Sequence, residues 1–141
     1  PTLKALENHL HRLILNNENT ILPRGLVHND FKPWNIKNYD RILIFDFEEA
    51  RVDCLPMMDL FNYYCDPIIR YQSSEMVFNT LMNSKKTKLY NAYKKHLGIH
   101  ISTELMFDIY LIDRIIFWKK TKKNSTANAY LGLFHFIHPN A

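Results

Sequence analysis

Leu26-Val27-His28-Asn29-Asp30-Phe31-Lys32-Pro33-Trp34-Asn35, followed after a short polar turn by Arg41-Ile42-Leu43-Ile44-Phe45-Asp46-Phe47-Glu48, is the stretch whose reading decides the fold. Turn-forming residues at Asn38-Tyr39-Asp40-Arg41 separate two partly apolar segments, and this pattern predicts a β-hairpin. With the midpoint between Asp40 and Arg41, Asn35 falls opposite Asp46. Opposed residues on an antiparallel pair have Cα atoms about 5 Å apart and side chains on one face, so an amide oxygen and a carboxylate oxygen could share one small cation. Mg²⁺ suits such a site, taking a few protein oxygens and leaving the rest to water and phosphate. Asp30 lies upstream in an irregular loop, where its carboxylate can take a proton from a hydroxyl, an effect of about 10²–10⁴ in rate. Lys32, two residues on, is a flexible point cation suited to developing negative charge. Pro33 and Trp34 read as scaffold, because Pro fixes φ and the Trp ring contributes large apolar area. His28 ends an apolar run with no partner at metal-ligand spacing and reads as a structural histidine bonded to local backbone.

The ordered set His28-x-Asp30-x-x-x-x-Asn35, the apolar strand Ile42 to Phe45, Asp46-Phe47-Glu48 and the pair Asp59-Leu60 resembles the aminoglycoside phosphotransferase and choline kinase superfamily of small-molecule kinases. The resemblance covers Leu22 to Leu60. It implies the C-terminal lobe of a protein-kinase-like fold, with Asp30 as catalytic base; Lys32 matches the position where protein kinases place a Lys near the transferred phosphate and is expected to assist. It also implies Asn35 and Asp46 as ligands of the magnesium that binds ATP, and Asp59 as a buried acceptor bracing the loop; His28 and Glu48 are expected to give structural support. Protein kinases share the spacing of Asp30 to Asn35, but they place a glycine after the Asp-Phe pair and need a long activation segment. Here Glu48 follows and a helix begins almost at once near Asp59, which points to a small hydroxyl acceptor rather than a protein.

Only three glycines occur, Gly25, Gly98 and Gly132, all isolated, so no glycine-rich phosphate loop is present. The chain opens at Pro1 on a helical pattern, and the expectation is a fragment lacking its nucleotide-binding N-terminal lobe. On that expectation it binds ATP poorly alone, and a micromolar affinity would contradict it. The 141 residues, 47% of them hydrophobic, suffice for one domain with a sizeable core. Cys54 and Cys65 form neither a metal spacing nor a disulfide framework, and with no apolar run of membrane-spanning length the expected setting is the cytoplasm.

The expected architecture is α+β and mostly helical, with the hairpin as its small β unit. Leu3, Leu6, Leu10, Leu13 and Ile14 recur at helical spacing and read as a core stripe. Asp59 to Tyr64 predicts a short helix. Ser74 to Leu97 carries Phe78, Leu81, Met82, Leu89, Ala92 and Tyr93 on one face, with a possible break at Asn83 to Thr87 and an end at Gly98. Ser102 reads as a cap, with Ile101 and Met106 as a hydrophobic staple, and a last helix is expected from about Thr126 to Ile137.

Charge is unevenly divided. Up to Cys65 there are seven Lys and Arg against nine Asp and Glu, or −2; from Asp66 onward there are eleven against five, or +6. The excess disfavours a polycationic acceptor and suits a neutral or anionic alcohol such as a sugar. The cluster Lys119-Lys120-Thr121-Lys122-Lys123 reads as a solvated helix end, with nucleic-acid or anionic-surface binding as the weaker alternative. A non-catalytic relative of the same fold is the other alternative, although retention of Asp30, Asn35 and Asp46 weighs against it. His135 and His138 read as helix-end or core histidines, since no carboxylate or cysteine lies near them in sequence.

Overall fold

The computed structural model describes residues 2–140, with side-chain surroundings from residue 4 onward. It is α+β and mostly helical. Helix α1 (Thr2–Asn16) leads into strand β1 (Gly25–Val27), a single 3-10 turn at Pro33–Asn35, and the hairpin β2 (Ile36–Asn38) and β3 (Ile42–Ile44). A second 3-10 turn at Phe47–Glu49 precedes β4 (Arg51–Cys54). Five helices follow: α2 (Met58–Cys65), α3 (Ser74–Met82), α4 (Ser84–His96), α5 (Thr103–Lys120) and α6 (Asn124–Ile137). The strands form two antiparallel pairs, β2 with β3 and β1 with β4, the latter irregular between Gly25↔Cys54 and Val27↔Arg51. None of the described helices is long and apolar enough to cross a membrane.

Local chemistry explains the helix boundaries. Ser73, Asn83 and Ser102 each accept the backbone N–H three residues on, from Met76, Lys86 and Leu105. Such caps contribute about 1 kcal/mol apiece. The cap at Asn83 divides the helical stretch after Ser74 in two. Gly98, at φ +65°, ends α4 in a left-handed turn, with Gly98 N–H donating to Lys95 and Ile99 N–H to Lys94. The end of α5 repeats this pattern with a non-glycine: Lys122 adopts φ 60° while Lys122 and Lys123 donate to the carbonyls of Lys119 and Trp118. The lysines at 119–123 therefore lie around the C-terminal end of α5, where positive charge complements the helix dipole.

The core gathers where α2, α5 and α6 meet. The Phe61 ring packs against Tyr90, Phe107 and Tyr110, and Tyr130, Leu133 and Phe134 close it from α6. Ile101 and Met106, flanking the Ser102 cap, are both buried. Two expected faces need correction. On α1, Leu6 is buried and Leu13 half-buried, but Leu10 is 37% and Ile14 59% exposed, and the side chain of Leu3 lies outside the described ones. The amphipathic stripe is present, but the bundle covers only part of it. On α4, Leu89 and Ala92 are exposed and Tyr90 is the deeply buried residue, because breaking the helix at Asn83 rotates the second segment relative to a continuous 3.6-residue pattern.

Candidate functional site

The segment His28 to Asn35 leaves β1 and is clamped from beneath. The Asp59 carboxylate, in the first turn of α2, accepts the backbone N–H groups of His28 at 2.8 Å and Asn29 at 2.9 Å. Asn62, one turn later on the same helix, donates to the Asn29 carbonyl at 3.0 Å. From α5, the Arg114 guanidinium donates to both the carbonyl and the side-chain oxygen of Asn29. Arg114 is 0% exposed and is held by Asp113, which Arg51 on β4 also engages. Burial by itself would lower the guanidinium's pKa, but the Tyr110 oxygen and the Asp113 carboxylate more than offset it, so the group stays charged. These contacts hold Asn29 at φ 66°, a left-handed conformation that a non-glycine residue keeps only when its surroundings enforce it.

His28 is buried, and its Nε2 faces the carbonyl of Phe45, tying the loop to the end of β3. The Asn35 amide nitrogen donates to the carbonyl of Asp30 at 2.9 Å and to its carboxylate at 3.0 Å. The Lys32 ammonium pairs with the same Asp30 carboxylate and lies 3.6 Å from Asp66. Asp30, Lys32 and Asn35 thus form one hydrogen-bonded group.

Asp46 stands differently from the sequence reading. The observed pairs are Ile36↔Ile44, Lys37↔Leu43 and Asn38↔Ile42, so the hairpin pivots on Asp40 and its register is one residue tighter than expected. The residue facing Asn35 is Phe45, whose N–H donates to the Asn35 carbonyl at 3.0 Å. A one-residue slip in a hairpin moves every side chain to the other face. Asp46 lies one step beyond the pair, at φ 64°, exposed at the head of the second 3-10 turn. The direct cross-strand pairing of Asn35 with Asp46 is therefore corrected to an adjacent, diagonal placement. Glu48 is also exposed and makes no hydrogen bond or ion pair among the described residues, so the supporting role expected of it finds no contact.

The structure adds residues the sequence reading passed over. Asp66, just past α2, is buried and accepts from the Tyr130 hydroxyl, which in turn meets the Tyr110 hydroxyl at 2.9 Å. Burial pushes the Asp66 carboxyl above the usual range, against the opposing pull of Tyr130 and Lys32. A cavity of about 150 Å³ opens beside Lys32, lined by Trp34, Asp66, Arg70, Trp118, Lys123 and Thr126. The Lys123 ammonium lies 5.0 Å from the Trp118 ring, and the buried Trp118 indole N–H has no hydrogen-bond partner. A signal for Arg114 was available: an acid-base pair set inside the apolar run Ile109 to Trp118 has to find partners in the interior.

A scan of protein-family models and searches of curated proteins and of solved structures found no match to this chain.

Proposed function

We propose that this chain is the catalytic half of an ATP- and magnesium-dependent small-molecule kinase that phosphorylates a hydroxyl. The observation that carries the reading is the Asp30, Lys32 and Asn35 cluster, built on a loop whose backbone is gripped by Asp59, Asn62 and Arg114. Rigid support of this kind is what a positioned base requires, since small misplacements cost large factors in rate.

The donor set fits magnesium. The amide nitrogen of Asn35 is committed to Asp30, which leaves its oxygen out of those bonds, and Asp46 is an exposed carboxylate that follows Phe45, the residue facing Asn35. Oxygen donors few in number suit a metal that keeps several waters and phosphate ligands. When bound, the ion would neutralise charge on the phosphates. Asp30 takes the proton of the acceptor hydroxyl as that oxygen bonds to the terminal phosphorus and the bond to the departing diphosphate breaks. Lys32 places its positive charge beside the atoms on which negative charge grows.

The cavity next to Lys32 supports the choice of acceptor. Three cations, Lys32, Arg70 and Lys123, outnumber the single carboxylate Asp66, and two indoles offer flat apolar walls. That lining suits a ring-bearing alcohol with an anionic substituent, such as a sugar carrying a phosphate or carboxylate. The outer side of the hairpin exposes Ile42, Ile44, Phe45 and Phe47 around Asp46, an apolar rim that supports a second, nucleotide-covering unit on this face.

The test is transfer from radiolabelled ATP in the intact protein, offered acceptors with and without an anionic group. Asp30→Asn is expected to lower turnover about 10²–10⁴-fold while the protein stays folded by circular dichroism. Full turnover in that variant overturns the reading.

A further inference from the structure

Away from this loop, His9 on α1, Asp108 on α5 and His138 at the end of α6 converge. His138 Nε2 lies 2.7 Å from one Asp108 carboxylate oxygen, and His9 Nε2 lies 3.5 Å from the other. The imidazole centroids are 4.1 Å apart, and one donor atom from each of the three residues lies within 4.8 Å of the others. We propose that these three side chains are a binding site for a divalent transition metal of the zinc class. The proposal is independent of any role for Asp30.

The deciding observation is the state of His9. The residue is 9% exposed, and its Nε2 is buried with no hydrogen-bond partner. A purely hydrogen-bonded His-Asp-His arrangement accounts for His138, whose contact with Asp108 is of bonding length, but it leaves the His9 nitrogen unpaired at 3.5 Å, an unfavourable condition for a buried polar atom. A metal between the three groups satisfies all of them. With metal-ligand distances of about 2.0–2.2 Å, neighbouring donors in a tetrahedral site are about 3.3 Å apart, and one donor atom from each of the three residues already lies within 4.8 Å of the others, with the two histidines facing different oxygens of Asp108.

Two imidazoles and a carboxylate select zinc, cobalt or nickel over magnesium, which prefers oxygen alone. A cavity of about 360 Å³ lined by His9, His138, Arg12 and Asn16 borders the cluster and gives water access to a fourth position. Arg12 there favours an anionic fourth ligand. Because α1 buries only part of its apolar stripe, a metal at this point would fasten α1 to α5 and to the C-terminal end of α6.

The test uses the metals alone. Isothermal titration with zinc sulfate is expected to show one equivalent bound, and cobalt to give the visible absorption of a tetrahedral site. His9→Ala and Asp108→Asn should each weaken binding at least tenfold and abolish the zinc-dependent rise in melting temperature. His100→Ala, on an exposed histidine outside the cluster, should leave binding intact and serves as the control against non-specific histidine binding. Equal affinity in His9→Ala and the parent protein, or no saturable zinc binding in a parent shown to be folded by circular dichroism, overturns the proposal.

Discussion

Replacing Asp59 with alanine removes both acceptors that fix the backbone ahead of Asp30, the bonds of 2.8 Å from His28 N–H and 2.9 Å from Asn29 N–H. Hydrogen bonds to a charged acceptor contribute ~1.5–3 kcal/mol each, and partial exposure of this carboxylate puts them at the low end, so the pair amounts to about 3 kcal/mol. Part of the loss is not recoverable by relaxation, because Asn62 and Arg114 continue to hold the Asn29 oxygen atoms and keep that residue at φ 66°. For a chain of this size each kcal/mol shifts the melting temperature by roughly 2–4 °C, which predicts a fall of about 6–12 °C. Thermal unfolding followed by circular dichroism at pH 7 measures it. Asp59→Asn retains one acceptor oxygen but turns an amide NH₂ toward the second N–H, so its fall should lie between those of the parent and the alanine variant. An alanine variant melting within about 2 °C of the parent would refute the clamp, since the two bonds would then be worth less than ordinary surface contacts.

Two further outcomes follow from the same geometry. Asp66 has its pKa raised by burial, so the folded state holds that proton more tightly than the unfolded chain; the stabilisation is complete below the ordinary carboxylate value and is lost as pH climbs through the raised one. The melting temperature of Asp66→Asn relative to the parent should accordingly rise between pH 4 and pH 7, and a difference that stays flat or falls contradicts the direction of the shift. Lys122 occupies a left-handed position at φ 60° where α5 ends, so Lys122→Gly should stabilise by about 0.5–1 kcal/mol, read as a higher urea midpoint; a lower midpoint would mean that its side chain makes a contact worth more than the backbone strain.

Sequence and tertiary structure contributed differently, and the division follows the range of the forces involved. Helix ends were legible because caps and left-handed turns act over three to five residues: Asn83 splits the stretch after Ser74, Ser102 opens α5 and Gly98 closes α4. The placing of Asp30 and Lys32 on one irregular loop was legible for the same reason, but the expected partner of Asn35 was Asp46, whereas its amide nitrogen turns back five residues to Asp30. The hairpin was legible as an element but its register was not. Ile42, Leu43, Ile44 and Phe45 are apolar on both faces, so the pattern did not penalise a one-residue shift, and the turn centred on Asp40 decided it. Arg114 beneath Asn29, 85 residues away, and Asp108 between His9 and His138 were beyond reach, because an isolated charge in an apolar helix shows only that a partner is needed. Which partner it meets depends on how α1, α5 and α6 pack, and that packing follows from burying Phe61, Tyr110 and Phe134 together rather than from any local spacing.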